Sequence, residues 1–124
     1  MHKEIKKILP VISNELLDEG VSFFKVGITQ NVAEREEDEE YKAFHLFPIA
    51  RSNDPNVIAD AEKDIISYFL SQPQLCEKCA NEQIGGGQIE EATWLYLAIR
   101  YRPDNRWDPL LAFAQIELPV NLDE

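Results

Sequence analysis

The stretch Val21-Ser22-Phe23-Phe24-Lys25-Val26-Gly27-Ile28-Thr29 carries the clearest strand signal in the chain. β-Branched and aromatic residues dominate it, as they do in strands that pack on a pleated surface. Apolar residues fall on both alternating faces, and Lys25 and Gly27 are the exceptions. This pattern predicts a strand over residues 21–29 that is covered on both sides. A lysine inside such a strand needs either a partner or a path to water.

Helical patterns lie on both sides of this strand. Before it, apolar residues recur at helical spacing from Ile5 to Leu16, and Pro10 must either kink this helix or split it near residue 9. After it, Asn31 is a suitable N-cap for a short helix, and the pair Asp54-Pro55 is typical of a helix start. Altogether, the predicted helices are 3–18, 32–40 and 55–70, and the predicted strands are 21–29, 42–50, 93–101 and 110–118.

The order of these elements predicts the fold class. The last two strands are separated by Pro103-Asp104-Asn105, which favours a turn and hence a hairpin. We therefore expect an α+β fold with a small antiparallel sheet flanked by helices. A length of 124 residues suits a single domain over 1–124.

The helix predicted over 55–70 carries a carboxylate on its apolar side. Glu62 stands four residues after Ile58 and four before Ile66, so the three side chains share one helix face. We expect Glu62 to be buried and its charge to be met by Arg35 or Lys25, in a structural ion pair or as the remnant of a metal site.

The charge of the chain bears on its partners. It contains 12 Lys+Arg and 23 Asp+Glu, which gives a net charge of −11. Such a surface repels polyphosphates at long range, so nucleic acid is a doubtful partner and a basic protein is a better one. No apolar run approaches the roughly 20 residues that span a bilayer. We expect no membrane partner, no secretory signal and a cytoplasmic location.

The segment Lys25-Val26-Gly27-Ile28-Thr29-Gln30-Asn31-Val32-Ala33-Glu34-Arg35 resembles the second half of the GIY-YIG nuclease signature. In that family a strand ends in Tyr-Ile-Gly-x-Thr and leads to a helix that carries an arginine. Gly27 and Arg35 keep the family's spacing of eight residues, and Thr29 stands where the family has its threonine.

Later features continue the resemblance. The family has a downstream helix with a metal-binding glutamate, and Glu62 occupies the corresponding helix here. Small members then carry a glycine-rich stretch before a strand of alternating aromatics, which Gly85-Gly86-Gly87 and Trp94-Leu95-Tyr96-Leu97 resemble. The resemblance covers roughly residues 21–101 and implies a GIY-YIG-like fold.

The same resemblance implies a chemistry, which is metal-dependent hydrolysis of nucleic-acid phosphodiesters. Lys25 and Arg35 would take catalytic positions, and Glu62 would hold one divalent ion, magnesium or manganese. Lys25 replaces the tyrosine of the second motif, however, and no Gly-Ile-Tyr strand precedes it. Lys25 could act as a base only in its neutral form, which requires burial. We therefore expect a catalytically degenerate domain. The alternative is an acidic, non-catalytic binding module or an inhibitor of a basic partner protein.

Two further motifs are weak. Cys76-Glu77-Lys78-Cys79 has the spacing of half a zinc site, but the chain offers only His2 and His45 as additional soft ligands. A CxxC redox site is no better supported, because no βαβ pattern surrounds it. Gly85-Gly86-Gly87 lacks the Lys-Ser/Thr of a phosphate-binding loop, so we assign it a conformational role.

Overall fold

The protein is represented by a computed structural model that describes residues 1–81, 91–103 and 108–123. Helices and short strands alternate along the chain. The helices are α1 (Lys3–Leu16), α2 (Val32–Glu36), α3 (Pro55–Ser71), α4 (Pro73–Cys76) and α5 (Pro109–Ala112), with a 3-10 helix at Glu39–Tyr41. The strands are β1 (Val21–Thr29), β2 (His45–Arg51), β3 (Trp94–Tyr101) and β4 (Val120–Asn121). Within the described ranges, no helix is long and apolar enough to cross a membrane.

The described strands form a four-stranded sheet in the order β1-β3-β2-β4. β3 pairs antiparallel with both β1 and β2, whereas β4 pairs parallel with β2. The α+β class is confirmed, and β1, β2 and β3 are antiparallel as expected. The sheet as a whole is mixed, because β4 pairs parallel with β2.

The predicted strand 110–118 is also wrong. Part of it is the short helix α5, in which the amide of Ala112 donates to the carbonyl of Asp108. The residues after α5 form turns, and the strand begins only at Val120. Asp108-Pro109 is the same type of pair as Asp54-Pro55, which starts α3, so the sequence contained the helix signal. The expected hairpin with β3 is absent from the described residues.

The other predicted elements are present, but several of them begin or end at different residues from those predicted. α1 continues through Pro10 as one helix, and α3 starts at the predicted cap, where the Asp54 carboxylate accepts from the Asn56 amide at 2.9 Å. The helix predicted over 32–40 ends at Glu36 and is followed by the 3-10 helix. β2 begins at His45, not at Lys42. α4 lies inside the segment expected to be a loop.

The sheet separates two apolar layers. On one side, which we call the helical face, α3 packs against β1 and β3, and the Phe24 and Phe69 rings meet edge to face at 4.9 Å. α1 packs against α3 and β4 and belongs to the same core. On the other side, the aromatic face, a smaller cluster joins Tyr41, Leu46, Tyr96 and Ala98. Each large apolar side chain buried in these layers contributes roughly 1.5–3 kcal/mol relative to exposure. The helical face therefore supplies most of the hydrophobic stabilisation.

Candidate functional site

Lys25 lies in β1 on the aromatic face, because the neighbouring residues Phe24 and Val26 point into the helical layer. It is half-buried, and its Nζ lies 4.3 Å from the centre of the Tyr41 ring and 5.6 Å from that of Phe44. No salt bridge to Lys25 occurs among the described residues. Two aromatic rings therefore hold this cation by their negative faces.

Tyr41 is the centre of the aromatic face. Its hydroxyl accepts a hydrogen bond from the Tyr96 hydroxyl at 2.7 Å, and the two rings meet edge to face at 5.8 Å. Tyr96 is only 1% exposed, and this burial, followed by the bond to Tyr41, raises its pKa far above the ordinary value. A phenol in this state does not become a phenolate near neutral pH, so it is unsuited to act as a general base.

Gly27 stands directly opposite Tyr96 in the β1–β3 ladder. A Cβ atom built on Gly27 would overlap the hydroxyl end of the Tyr96 ring. The glycine therefore has a packing role, because it allows the ring to lie across β1 and reach Tyr41. This role explains the glycine within an otherwise bulky strand.

Arg35 lies in α2, and its Cζ is 6.0 Å from the centre of the Tyr41 ring, on which Lys25 also lies. One guanidinium nitrogen is 3.8 Å from a carboxylate oxygen of Asp38. The predicted cap is confirmed, since the Asn31 side chain accepts from the Glu34 amide at 3.1 Å. A pocket of about 180 Å³ opens beside this helix and is lined by Thr29, Gln30, Asn31, Glu34, Arg35 and Asp38.

Glu62 is buried, as its helical spacing predicted, with 7% of its surface exposed. It lies on the side of α3 that packs on the helical face with Ile58 and Ile65. Burial raises the pKa of its carboxyl from 4.5 to about 7. Within the described part of the chain, its carboxylate makes no hydrogen bond and no salt bridge.

The predicted ion pair between Glu62 and Arg35 or Lys25 is therefore wrong. Both cations contact Tyr41 on the aromatic face, whereas Glu62 is one of the buried residues of α3, with Ile58 and Ile65. The charge of Glu62 is still one of the smaller causes that raise the pKa of Tyr96, and that of Arg35 opposes it. The structure thus brings Lys25 and Arg35 together at one ring, and within the described residues neither cation forms a salt bridge with Glu62.

The surroundings of Glu62 do not suit a magnesium or manganese ion. Such ions need about six oxygen ligands and hold their water molecules tightly. Across residues 1–81, 91–103 and 108–123, no group of three or more His, Cys, Asp or Glu residues is placed to hold a metal ion. Within these ranges Glu62 stands as a single carboxyl with a raised pKa, which by itself supplies neither the charge nor the additional oxygens.

The remaining sequence motifs concern the two cysteines, the histidines and the glycine-rich stretch. Cys76 and Cys79 are free thiols, and the His2 ring bonds the backbone carbonyl of Leu122 at 3.1 Å. The stretch Gly85-Gly86-Gly87 lies outside the described residues.

Tyr41 and Tyr96 were not predicted as site residues. Tyr41 follows five consecutive acidic residues, Glu36 to Glu40, and an aromatic at the end of such a run is a natural anchor to the core. Tyr96 could be read only as one of several aromatics in β3. Its pairing with Gly27 depends on the strand register, which the sequence pattern does not give.

Lys25, Arg35, Tyr41 and Tyr96 thus form a linked cation–aromatic cluster beside an open pocket, and among the described residues Glu62 makes no salt bridge to this cluster. Its phenols are buried and hydrogen-bonded, and its cations lie against rings. Comparison of the chain with models of protein families, with curated proteins and with solved structures found no match.

Proposed function

We propose that this chain is a catalytically degenerate, GIY-YIG-like domain that acts as a non-catalytic binding module for a basic protein, in the cytoplasm. One observation supports the proposal, which is that Glu62 forms no salt bridge with Lys25 or Arg35, whose charged groups lie at the Tyr41 ring, among the described residues. Phosphodiester hydrolysis needs a base, a cation and metal-bound oxygens around one phosphate. Two cations that lie at an aromatic ring and a carboxyl that pairs with neither of them do not meet that requirement.

The binding surface in this proposal is the acidic ridge, which we define as the exposed carboxylates of residues 34–40. Its members are Glu34, Glu36, Glu37, Asp38, Glu39 and Glu40. Tyr41 is buried directly after them and fastens this segment to the sheet. A cluster of carboxylates on an anchored segment, in a chain of net charge −11, attracts a basic partner by long-range electrostatics.

The pocket beside Arg35 gives the ridge a place for an inserted side chain. Glu34 and Asp38 contribute to its wall. The contact between Arg35 and Asp38 is 3.8 Å long and partly exposed, and contacts of this kind contribute little free energy. A lysine or arginine of the partner can therefore compete with Arg35 for Asp38 at small cost.

Binding to a lysine- and arginine-rich peptide tests the proposal. Neutralising four ridge carboxylates should weaken binding about ten-fold, since each exposed charge pair contributes roughly 0.4 kcal/mol. The matched control neutralises four exposed carboxylates elsewhere and should weaken binding less than about two-fold. The ridge variant carries Glu34→Gln, Glu36→Gln, Glu37→Gln and Glu40→Gln, and the control carries Glu19→Gln, Asp60→Asn, Glu77→Gln and Glu117→Gln.

Two results would contradict the proposal. Equal losses in the two variants would mean that net charge, not the ridge, governs attraction. Cleavage of plasmid or single-stranded DNA with magnesium or manganese, abolished by Glu62→Ala or Arg35→Gln, would instead establish a nuclease. We expect no cleavage above background.

A further inference from the structure

The segment Cys76-Glu77-Lys78-Cys79 forms a helical turn. The amide of Cys79 donates to the carbonyl of Leu75 at 3.0 Å, and the amide of Cys76 donates to that of Gln72 at 2.8 Å. Residues three apart on such a turn share one side, with Cα atoms about 5 Å apart. Disulfides join residues with Cα separations of roughly 4.4–6.8 Å, so the geometry of this turn is compatible with a disulfide between the two cysteines.

The two thiols differ in environment. Cys76 is exposed, and its Sγ lies 3.3 Å from the carbonyl oxygen of Pro73. Cys79 is half-buried against the core, and its Sγ lies 3.5 Å from Oδ1 of Asn81. Burial is the largest cause that raises the pKa of the Cys79 thiol, and the nearby Cys76 raises it further. Cys76 is therefore the accessible nucleophile, and Cys79 is the protected partner.

The same turn leads into residues 78–81, which we call the edge segment because they cover the outer edge of β1. The Phe24 amide donates to the Lys78 carbonyl at 3.0 Å, and the Ala80 amide donates to the Phe24 carbonyl at 2.7 Å. The Asn81 side chain bonds both the amide and the carbonyl of Val26, at 2.8 and 2.9 Å. An uncovered strand edge is open to pairing with other chains.

Lys78 links this segment to α1. Its ammonium group donates to the carbonyl of Leu16, the last residue of α1, at 3.0 Å and to that of Asp18 at 2.8 Å. The CxxC turn thus connects α4, the edge of the sheet and the end of α1. A covalent bond across the turn would restrain all three.

We propose that Cys76 and Cys79 are a redox modification site, at which a low-molecular-weight disulfide such as oxidised glutathione converts the dithiol into an intramolecular disulfide that fastens the edge segment to β1. The Cys76 thiolate attacks one sulfur of the oxidant, forms a mixed disulfide and releases the first thiolate. Cys79 loses its proton to solvent, attacks Sγ of Cys76 and releases the second thiolate. Two electrons pass from the chain to the oxidant, which leaves as two thiols.

Equilibration of the full chain in mixtures of reduced and oxidised glutathione, followed by alkylation and intact-mass measurement, tests this inference. The chain contains two cysteines, so an intramolecular disulfide must join them. We expect a monomer that has lost two hydrogens and carries no glutathione. In the reduced chain, iodoacetamide should modify Cys76 about ten-fold faster than Cys79.

Hydrogen exchange reports the effect on the edge. In the oxidised chain, the amide protons of Phe24 and Val26 should exchange about ten-fold more slowly, because closing the turn restrains the opening of the edge segment. The Cys79→Ser variant should stop at a glutathione adduct on Cys76, and Cys76→Ser should form an adduct on Cys79 about ten-fold more slowly.

Three results would overturn the inference. They are glutathione adducts on both cysteines at equilibrium, disulfide-linked dimers in place of the monomer, and unchanged exchange at Phe24 and Val26 after oxidation. The alkylation rates and the exchange rates are measured on the unaltered chain, so the test stands even where a variant does not fold.

Discussion

The two faces of the sheet accommodate ionisable side chains in different ways. On the helical face, α3 buries Glu62, and the pKa of its carboxyl rises to about 7 because the charged form is desolvated. On the aromatic face, Lys25 and Arg35 lie against the Tyr41 ring. A ring stabilises a cation without a carboxylate, whereas no aliphatic group stabilises an anion. The difference shows that aromatic rings can hold cations in their charged form, whereas burial without a cation favours the neutral form of a carboxyl.

Loss of the Tyr41 ring should cause the largest decrease in unfolding free energy, because this ring holds the aromatic face together. Tyr41→Ala removes a buried aromatic that contacts Tyr96, Phe44 and both cations, so we expect a loss of roughly 3–5 kcal/mol in unfolding free energy. Tyr41→Phe keeps the ring but leaves the Tyr96 hydroxyl without its acceptor, which should cost about 1–2 kcal/mol. Denaturant unfolding at constant pH measures both. Equal losses would mean that the hydroxyl bond, not the ring, holds the aromatic face.

Substitution of Glu62 should produce the next largest change in unfolding free energy, and this change should stabilise the fold. The pKa of the Glu62 carboxyl is 4.5 as the ordinary value and about 7 in the folded chain, so between these values the folded state binds the extra proton. Stability from this group is complete below about pH 4.5, falls as the pH rises and reaches its minimum above about pH 7. The difference corresponds to about 3 kcal/mol. We therefore expect Glu62→Gln to stabilise the fold by up to about 3 kcal/mol at pH 8 and by little at pH 4.5.

Asp60→Asn is the matched control for this titration. Asp60 lies on the exposed side of the same helix, and the substitution removes the same charge. Its effect should stay within about 0.5 kcal/mol at both pH values. If Glu62→Gln instead lost several kcal/mol at pH 8, a cation would have to pair with the carboxylate, and the separation of the two faces would be refuted.

The parts of the fold that were predicted correctly are determined by residues that lie close together in the sequence. Asp54 and Pro55 start α3, and the spacing of Ile58, Glu62 and Ile66 places the carboxylate on the buried side. Caps and helical periodicity are local, so they could be recognised without knowledge of the partner elements. The same holds for β1, whose bounds were predicted as the structure has them.

The predictions that proved wrong concern contacts between elements that are far apart in the sequence. Spacing showed that Glu62 faces inward, but not which side of β1 it meets; the even residues Phe24 and Val26 take that side, so Lys25 is turned away. A returning strand was predicted over 110–118, whereas the structure has α5 there and β4 forms later and pairs with β2. Pairing of distant strands depends on packing that no local pattern encodes.

Lys25 offers the smallest and most specific test of the aromatic face. Lys25→Met keeps the length and apolar character of the side chain and removes its charge, so a loss of about 1 kcal/mol would measure the attraction between the ammonium group and the rings. Because methionine can also pack well, the single substitution is not decisive. A double-mutant cycle with Tyr41→Leu isolates the pairwise free energy, which we expect to be about 1 kcal/mol.

Lys42→Met is the control, since Lys42 is exposed and pairs with Glu39 at 2.8 Å, and its coupling to Tyr41→Leu should be close to zero. Equal coupling for the two lysines would show that position 41 acts through general destabilisation, and the cation at position 25 would then have no special relation to the ring.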